Sequence, residues 1–195
     1  MPRKPRELFD GGIYHVYSRG NNRKNLFLKE EDFECFLSVL KGLKCDYGFD
    51  LFHYCLMTNH FHFLIRVCKG KDLPMLMHAL KLTYTRYYKK EYEFVGHLFQ
   101  GRYKSPLIAE ESYYLQCGRY IERNPLSARM VKECHEYSYS SAKYYVLGKD
   151  DELVSENVYY HDMGHDALTR QIAYRKFLSV DEPYKELVDE ALKKV

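Results

Sequence analysis

Apolar and polar residues alternate from Ile13 to Tyr17 with the two-residue period of a strand, which runs into the basic, turn-rich loop Ser18-Arg19-Gly20-Asn21-Asn22. From about 31 to 46 the period changes. Phe33, Phe36, Leu37, Leu40 and Leu43 recur at helical spacing, and Asp46-Tyr47-Gly48 offers a stop. Phe49 to Met57 reads as a strand, Thr58-Asn59 as a tight turn and His60 to Val67 as a second strand. So short a connection predicts an antiparallel hairpin. A helix follows over roughly 73 to 93, with Leu73, Leu76, Leu80, Tyr84 and Tyr87 on one stripe, and Gly96 breaks it. His97 to Ala109 is predicted extended, interrupted at Gly101 and Pro106. Ser112 to Arg123 is predicted helical and ended by Asn124-Pro125, because a residue before proline disfavours the α region. On this reading Asn124 caps a new helical turn, Leu126 to Val131, that starts with Pro125.

This order, β-α-β-β-α-β and then a helix, predicts an α+β fold of the ferredoxin-like (split βαβ) plait: an antiparallel sheet with helices on one face. Beyond about 130 the pattern weakens. Tyr137-Ser138-Tyr139-Ser140-Ser141 reads as a turn, and 163–179 and 182–194 read as two short helices. The expected organisation is one domain over 1–145 and a helical extension over 146–195, with no repeat or low-complexity linker between them.

With 195 residues the chain can bury a real core, and no stretch nears the ~18 consecutive apolar residues of a membrane span. Met1-Pro2-Arg3-Lys4-Pro5-Arg6 has no apolar run behind it, so a signal peptide is not expected. Six cysteines without a C-x-x-C pair, set in apolar segments, point to reduced, buried thiols and a cytoplasmic protein. The formal charge of +3 decides little, but its distribution is uneven. Basic residues gather at 3–6, at Arg19, Arg23 and Lys24, at Arg86, Lys89 and Lys90, and at Arg102 and Lys104, whereas acidic residues crowd the C-terminal third. Many of the 20 tyrosines flank those clusters. Cations alternating with flat rings suit a single strand of nucleic acid; half-buried packing and a solvated face would give the same composition.

Chemistry concentrates in two stretches. In Asn59-His60-Phe61-His62-Phe63 the histidines at i and i+2 of a strand share one face, while Phe61 and Phe63 share the other. Two imidazoles so spaced can hold one divalent ion and leave positions open for substrate oxygens. Alone, the pair also fits two ordinary histidines on a polar sheet face. His53, on the partner strand, suits packing better than a supporting role. In Tyr120-Ile121-Glu122-Arg123-Asn124-Pro125 the Tyr120 hydroxyl and the Asn124 amide, at i and i+4, share a helix face. Gln116 extends that stripe, and Tyr114, Cys117 and Ile121 form the apolar side.

His60-Phe61-His62 resembles the HUH motif, and Tyr120 with Asn124 resembles the tyrosine helix of single-tyrosine HUH transposases. Similarity is nearest to the REP-associated tyrosine transposases and their insertion-sequence relatives. Four stretches carry it: Tyr14 to Asn22, Met57 to His62, Gly96 to Ser105 and Tyr120 to Pro125. It spans about residues 10 to 145. Thr58 stands where many relatives have proline, which affects the turn and not the chemistry.

The resemblance implies that His60, His62 and Asn124 are ligands of Mg²⁺ or Mn²⁺ and that Tyr120 is the nucleophile. Attack would leave a 5′-phosphotyrosine link and a free 3′-hydroxyl, able to rejoin without ATP. The implied partner is single-stranded or hairpin DNA, with the protein a monomer or homodimer and no membrane involved. Arg102, Tyr103 and Lys104, then Arg19, Asn21 and Arg23, are the candidate DNA contacts. Two other readings stay open. One is a domesticated relative that binds hairpins without cutting. The other is a different histidine-dependent phosphodiester or nucleotidyl hydrolase, although Leu64 occupies the place where a histidine-triad enzyme needs a third alternating histidine.

Overall fold

The computed structural model of the chain describes residues 7–109, 111–155 and 157–180. The basic segment 3–6 and the helix expected over 182–194 lie outside the described residues. Three strands, β1 (Ile13–Arg19), β2 (Phe49–Met57) and β3 (His60–Val67), form an antiparallel sheet in the order β1-β3-β2. The hairpin was expected from the two-residue turn, and β3 sits at the centre because β1 returns to its free edge.

The extended segment 97–109 lies along the other edge of β1 as isolated antiparallel bridges, Gly20 to Phe99, Tyr17 to Lys104 and Tyr14 to Leu107. Gly101 turns in the left-handed region and Pro106 has no N–H to give, so the fourth strand of the plait is reduced to these contacts. Its backbone still pairs where it can, with Lys104 N donating to Tyr17 O and Tyr17 N to Lys104 O.

Alternation along the strands gives the sheet two apolar faces. One carries Tyr14, Val16, Phe61, Phe63 and Ile65, and α1 (Glu30–Tyr47) and α2 (Asp72–Tyr92) cover it with Phe33, Phe36, Leu40, Leu73, Leu76, Leu80 and Tyr84. The buried Asp32 carboxylate joins these helices, accepting from Tyr87 and Tyr92 of α2 and from the backbone N–H groups of Leu28 and Lys29. Across the sheet, Phe52, Cys55, Met57 and Leu64 pack against Tyr114, Cys117 and Ile121 of α3 (Glu111–Ser127). Helices therefore cover both faces.

Two expectations need correction. Helix α3 does not stop at Asn124-Pro125 but runs to Ser127 with Pro125 inside it. Proline cannot donate to the carbonyl of Ile121, and the Asn124 side chain does so instead, its Nδ2 lying 3.2 Å from Ile121 O and 2.8 Å from Tyr120 O. The cysteines are all unpaired, yet Cys45 and Cys68 are exposed rather than buried.

After α3 come two short helices that the periodicity did not show, α4 (Ala142–Leu147) and α5 (Val158–His161), and then α6 (Ala167–Ser179), which the 163–179 pattern anticipated. Leu153, Val154, Tyr174 and Leu178 join the same core as α1 and α2. Among the described residues, no helix is long and apolar enough to cross a membrane.

Candidate active site

The sheet face under α3 brings together residues that are far apart in sequence. His62 is buried and His60 half-buried, with ring centroids 5.0 Å apart and planes nearly perpendicular. Tyr120 of α3 stands over them, its ring 5.6 Å from His62 and 5.9 Å from His15. One turn on, the Asn124 side chain comes up to His60. Because both Asn124 N–H groups are spent on helix carbonyls, its Oδ1 is left as the acceptor end. His60, His62, Tyr120 and Asn124 thus meet within one chain.

Rotation of α3 about its axis is fixed from behind. Glu122 is fully buried on the side away from Tyr120, with Oε1 2.9 Å from His53 Nδ1. The Ser141 hydroxyl donates to Oε1 at 2.6 Å, and the Tyr174 hydroxyl to Oε2 at 2.9 Å. His53 Nε2 contacts Asn157 Nδ2 at 3.2 Å. Gly118 permits this approach: a Cβ there would lie 2.6 Å from His53 Nε2. His53 thus forms part of the seat of α3, through its contact with Glu122 and the close approach of Gly118.

Burial sets the electrostatics. The His62 imidazole is pushed well below its ordinary range by desolvation, aided by repulsion from His60 and His15. His60 is lowered by desolvation too, with the nearby Asn124 side chain opposing the shift and Arg19 adding to it. His15 is lowered to about 3 by burial. All three rings are consequently neutral at neutral pH, the state in which imidazole offers a lone pair to a cation. Tyr17, 5.7 Å from His62, has its hydroxyl raised to about 12 by burial, against the pull of Arg19.

A divalent ion fits this donor set only if the amide takes part. Among the described residues no group of three His, Cys, Asp or Glu side chains could hold a metal. Two neutral imidazoles and one amide oxygen can, and they would leave the cation's full charge for an anionic substrate.

The candidate DNA contacts divide. Arg19 is paired in register with His60, is exposed, and its Nε donates to Gln100 Oε1 at 2.5 Å. Asn21 and Arg23 follow in a loop tied to the hairpin turn, where Gly20 N donates to Asn59 O and Asn59 Nδ2 lies 3.4 Å from Arg23 O. Arg102 is exposed, and Lys104 pairs with Tyr17, which pairs with His62, so Lys104 takes the face of the site. Tyr103 takes the opposite face. It is buried in the main core, and its ring offers no outward stacking surface.

Sequence reasoning passed over His15, whose Nε2 lies 2.9 Å from His62 Nδ1, and Asn59, whose Oδ1 lies 2.6 Å from His60 Nδ1. It also assigned nothing to Glu122. The alternation from Ile13 to Tyr17 put His15 and Tyr17 on one face, but nothing local said that β1 would lie beside β3.

The family described as IS200-like transposase matches the chain over residues 9–124. No curated protein sequence matches it. Among solved structures, a REP-associated tyrosine transposase bound to a REP hairpin is similar in fold, with a TM-score of 0.66 at 19% identity, covering 81% of this chain and 93% of the other. A Deinococcus radiodurans protein described as a transposase gives 0.43 at 20% identity, covering 63% of this chain and 97% of its own.

Proposed function

The chain belongs to the IS200-like transposase family, and from that premise we propose that it is a metal-dependent endonuclease that cuts and rejoins single-stranded DNA through Tyr120. The observation that carries this reading is the meeting of Tyr120 with the histidine pair, its ring 5.6 Å from His62, on a helix whose next turn brings Asn124 to His60. His60, His62 and Asn124 would hold Mg²⁺ or Mn²⁺. When bound, the ion would polarise the scissile phosphate and offset the charge that develops on its oxygens.

The rest follows from the chain's own groups. A phenol with a reference pKa near ~10 is a weak nucleophile, so placement matters more than intrinsic reactivity. Glu122 and Gly118 hold α3 at the rotation and depth that keep Tyr120 over the imidazoles. Its oxygen would form a bond to phosphorus as the bond from phosphorus to the 3′ oxygen breaks. The phenol gives up its proton and the departing oxygen gains one, leaving a 5′-phosphotyrosine and a 3′-hydroxyl. Bond energy is kept in the ester, so a second 3′-hydroxyl can reverse the step. Arg19, Arg23, Arg102 and Lys104 would line the path of the strand by neutralising phosphates, and Asn21 by donating a hydrogen bond to them. A hairpin is the substrate class we favour, supported by the hairpin that the similarly folded transposase carries.

The test incubates the protein with labelled hairpin DNA and Mg²⁺ or Mn²⁺ and seeks a detergent-stable adduct. Tyr120→Phe should abolish it, whereas Tyr17→Phe should retain it. An adduct that survives Tyr120→Phe overturns the nucleophile, and one formed without a divalent ion overturns the metal role. Hairpin binding with no adduct under any condition would instead indicate a domesticated binding protein.

A further inference from the structure

The two candidate ligand rings are each engaged on the same atom, by residues from different parts of the fold. Nδ1 of His60 lies 2.6 Å from Asn59 Oδ1, and Nδ1 of His62 lies 2.9 Å from His15 Nε2. An amide oxygen can only accept, so the first contact requires the proton of neutral His60 to sit on Nδ1. The Asn59 amide is turned that way round by its other end, since Nδ2 faces the carbonyl of Arg23 at 3.4 Å. For His62 the neighbour is an imidazole, which can accept at Nε2 when its own proton is on Nδ1. Each ring then keeps its lone pair on Nε2.

We propose that Asn59 and His15 are positioning residues for the metal site, fixing His60 and His62 as Nδ1–H tautomers so that both Nε2 lone pairs serve one cation. The proposal rests on the metal-ligand reading above. Its physical basis is general: the outer partner of a ligating imidazole sets both ring orientation and basicity, and its loss typically weakens metal binding about 10–100-fold. The two partners also differ in origin. Asn59 belongs to the hairpin turn before β3 and is anchored to the loop after β1. His15 is buried on β1, one strand over, and its centroid stands 5.1 Å from that of His62. The site is thereby coupled to the pairing of β1 with β3 as well as to the hairpin.

Two measurements on the whole chain test this. Nitrogen–proton correlation NMR of the imidazoles in metal-free protein should show His60 and His62 protonated on Nδ1. A proton on Nε2 of either ring overturns the assignment for that residue, whatever the variants do. Mn²⁺ binding, followed by electron paramagnetic resonance without DNA, should weaken about 10-fold or more in Asn59→Leu and in His15→Phe. Asn59→Asp, which keeps an acceptor oxygen at the same place, should bind within a few-fold of the unaltered protein. Equal binding by Asn59→Leu, His15→Phe and the unaltered chain overturns the positioning role while leaving the ligands intact. Failure of the unaltered chain to bind Mn²⁺ overturns the metal reading itself.

Discussion

Three imidazoles on one sheet face, two buried and one half-buried, make acid a direct probe of the site. His15, His60 and His62 all titrate below their ordinary value, chiefly because burial penalises the charged ring. Unfolded, each would take a proton near pH 6.5; folded, His15 takes one only near pH 3. Between those values the unfolded chain binds more protons, so stability falls as pH drops through this window and is unaffected above it. For His15 alone the full loss is of order 5 kcal/mol at ~1.4 kcal/mol per unit. Thermal melts of metal-free protein between pH 7 and 4 should show His15→Phe losing less stability on acidification than the unaltered chain. Parallel losses would mean that the ring is not held neutral by burial. The sequence exposed His60 and His62 because they alternate within three residues, and Tyr120 and Asn124 because they lie one helical turn apart. It hid His15, which acts across 47 residues of chain, since no local period records which strands become neighbours.

Element boundaries set the site's geometry, and α3 matters most. Its sequence reads as a helix broken by Pro125, yet the helix continues, because the Asn124 amide takes up the carbonyl that proline abandons. The side chain makes good the missing N–H, so the helix continues in spite of the steric preference against a helical residue before proline. A sharper test of how α3 is seated lies at Gly118. On an isolated helix Gly→Ala would stabilise by about 1 kcal/mol. In this fold the added methyl would meet His53 at 2.6 Å from Nε2 and 2.7 Å from Cδ2. His53 cannot swing away, being bonded to Glu122 and Asn157 and stacked 4.6 Å from the Tyr145 ring. Overpacking of this kind costs about 1–3 kcal/mol, which outweighs the propensity gain. Gly118→Ala should therefore lower the urea midpoint and reduce adduct formation further than the lost stability explains, as Tyr120 is lifted with the helix. An unchanged or raised midpoint would show that α3 sits less closely on β2.

At the scale of the molecule, the question is whether the C-terminal part shares the folding unit that makes the site. Composition and weak periodicity suggested an extension beginning near 146. Of the two short helices missed, α4 straddles that boundary and α5 lies beyond it; six- and four-residue elements carry too few positions for a period. Physically, the extension reaches the centre: Tyr174 and Leu178 lie in the core shared with α1 and α2, and the Tyr174 hydroxyl is one of the donors to Glu122. Tyr174→Phe keeps the ring and removes only that hydrogen bond, leaving a buried carboxylate short of a partner at about 1–3 kcal/mol. In a Glu122→Gln background, where no charge waits for the donor, the same change should cost less, so the two substitutions should be non-additive by at least about 0.5 kcal/mol. Urea unfolding of all four combinations, followed by tyrosine fluorescence and by circular dichroism, measures both quantities. One coincident transition is expected with each probe, because the extension and the sheet share a core. Strict additivity would remove Tyr174 from the network. Separate transitions would make the extension an independent unit, and the rotation of α3, with the place of Tyr120 over His62, would then have to be set by His53 and Ser141 alone.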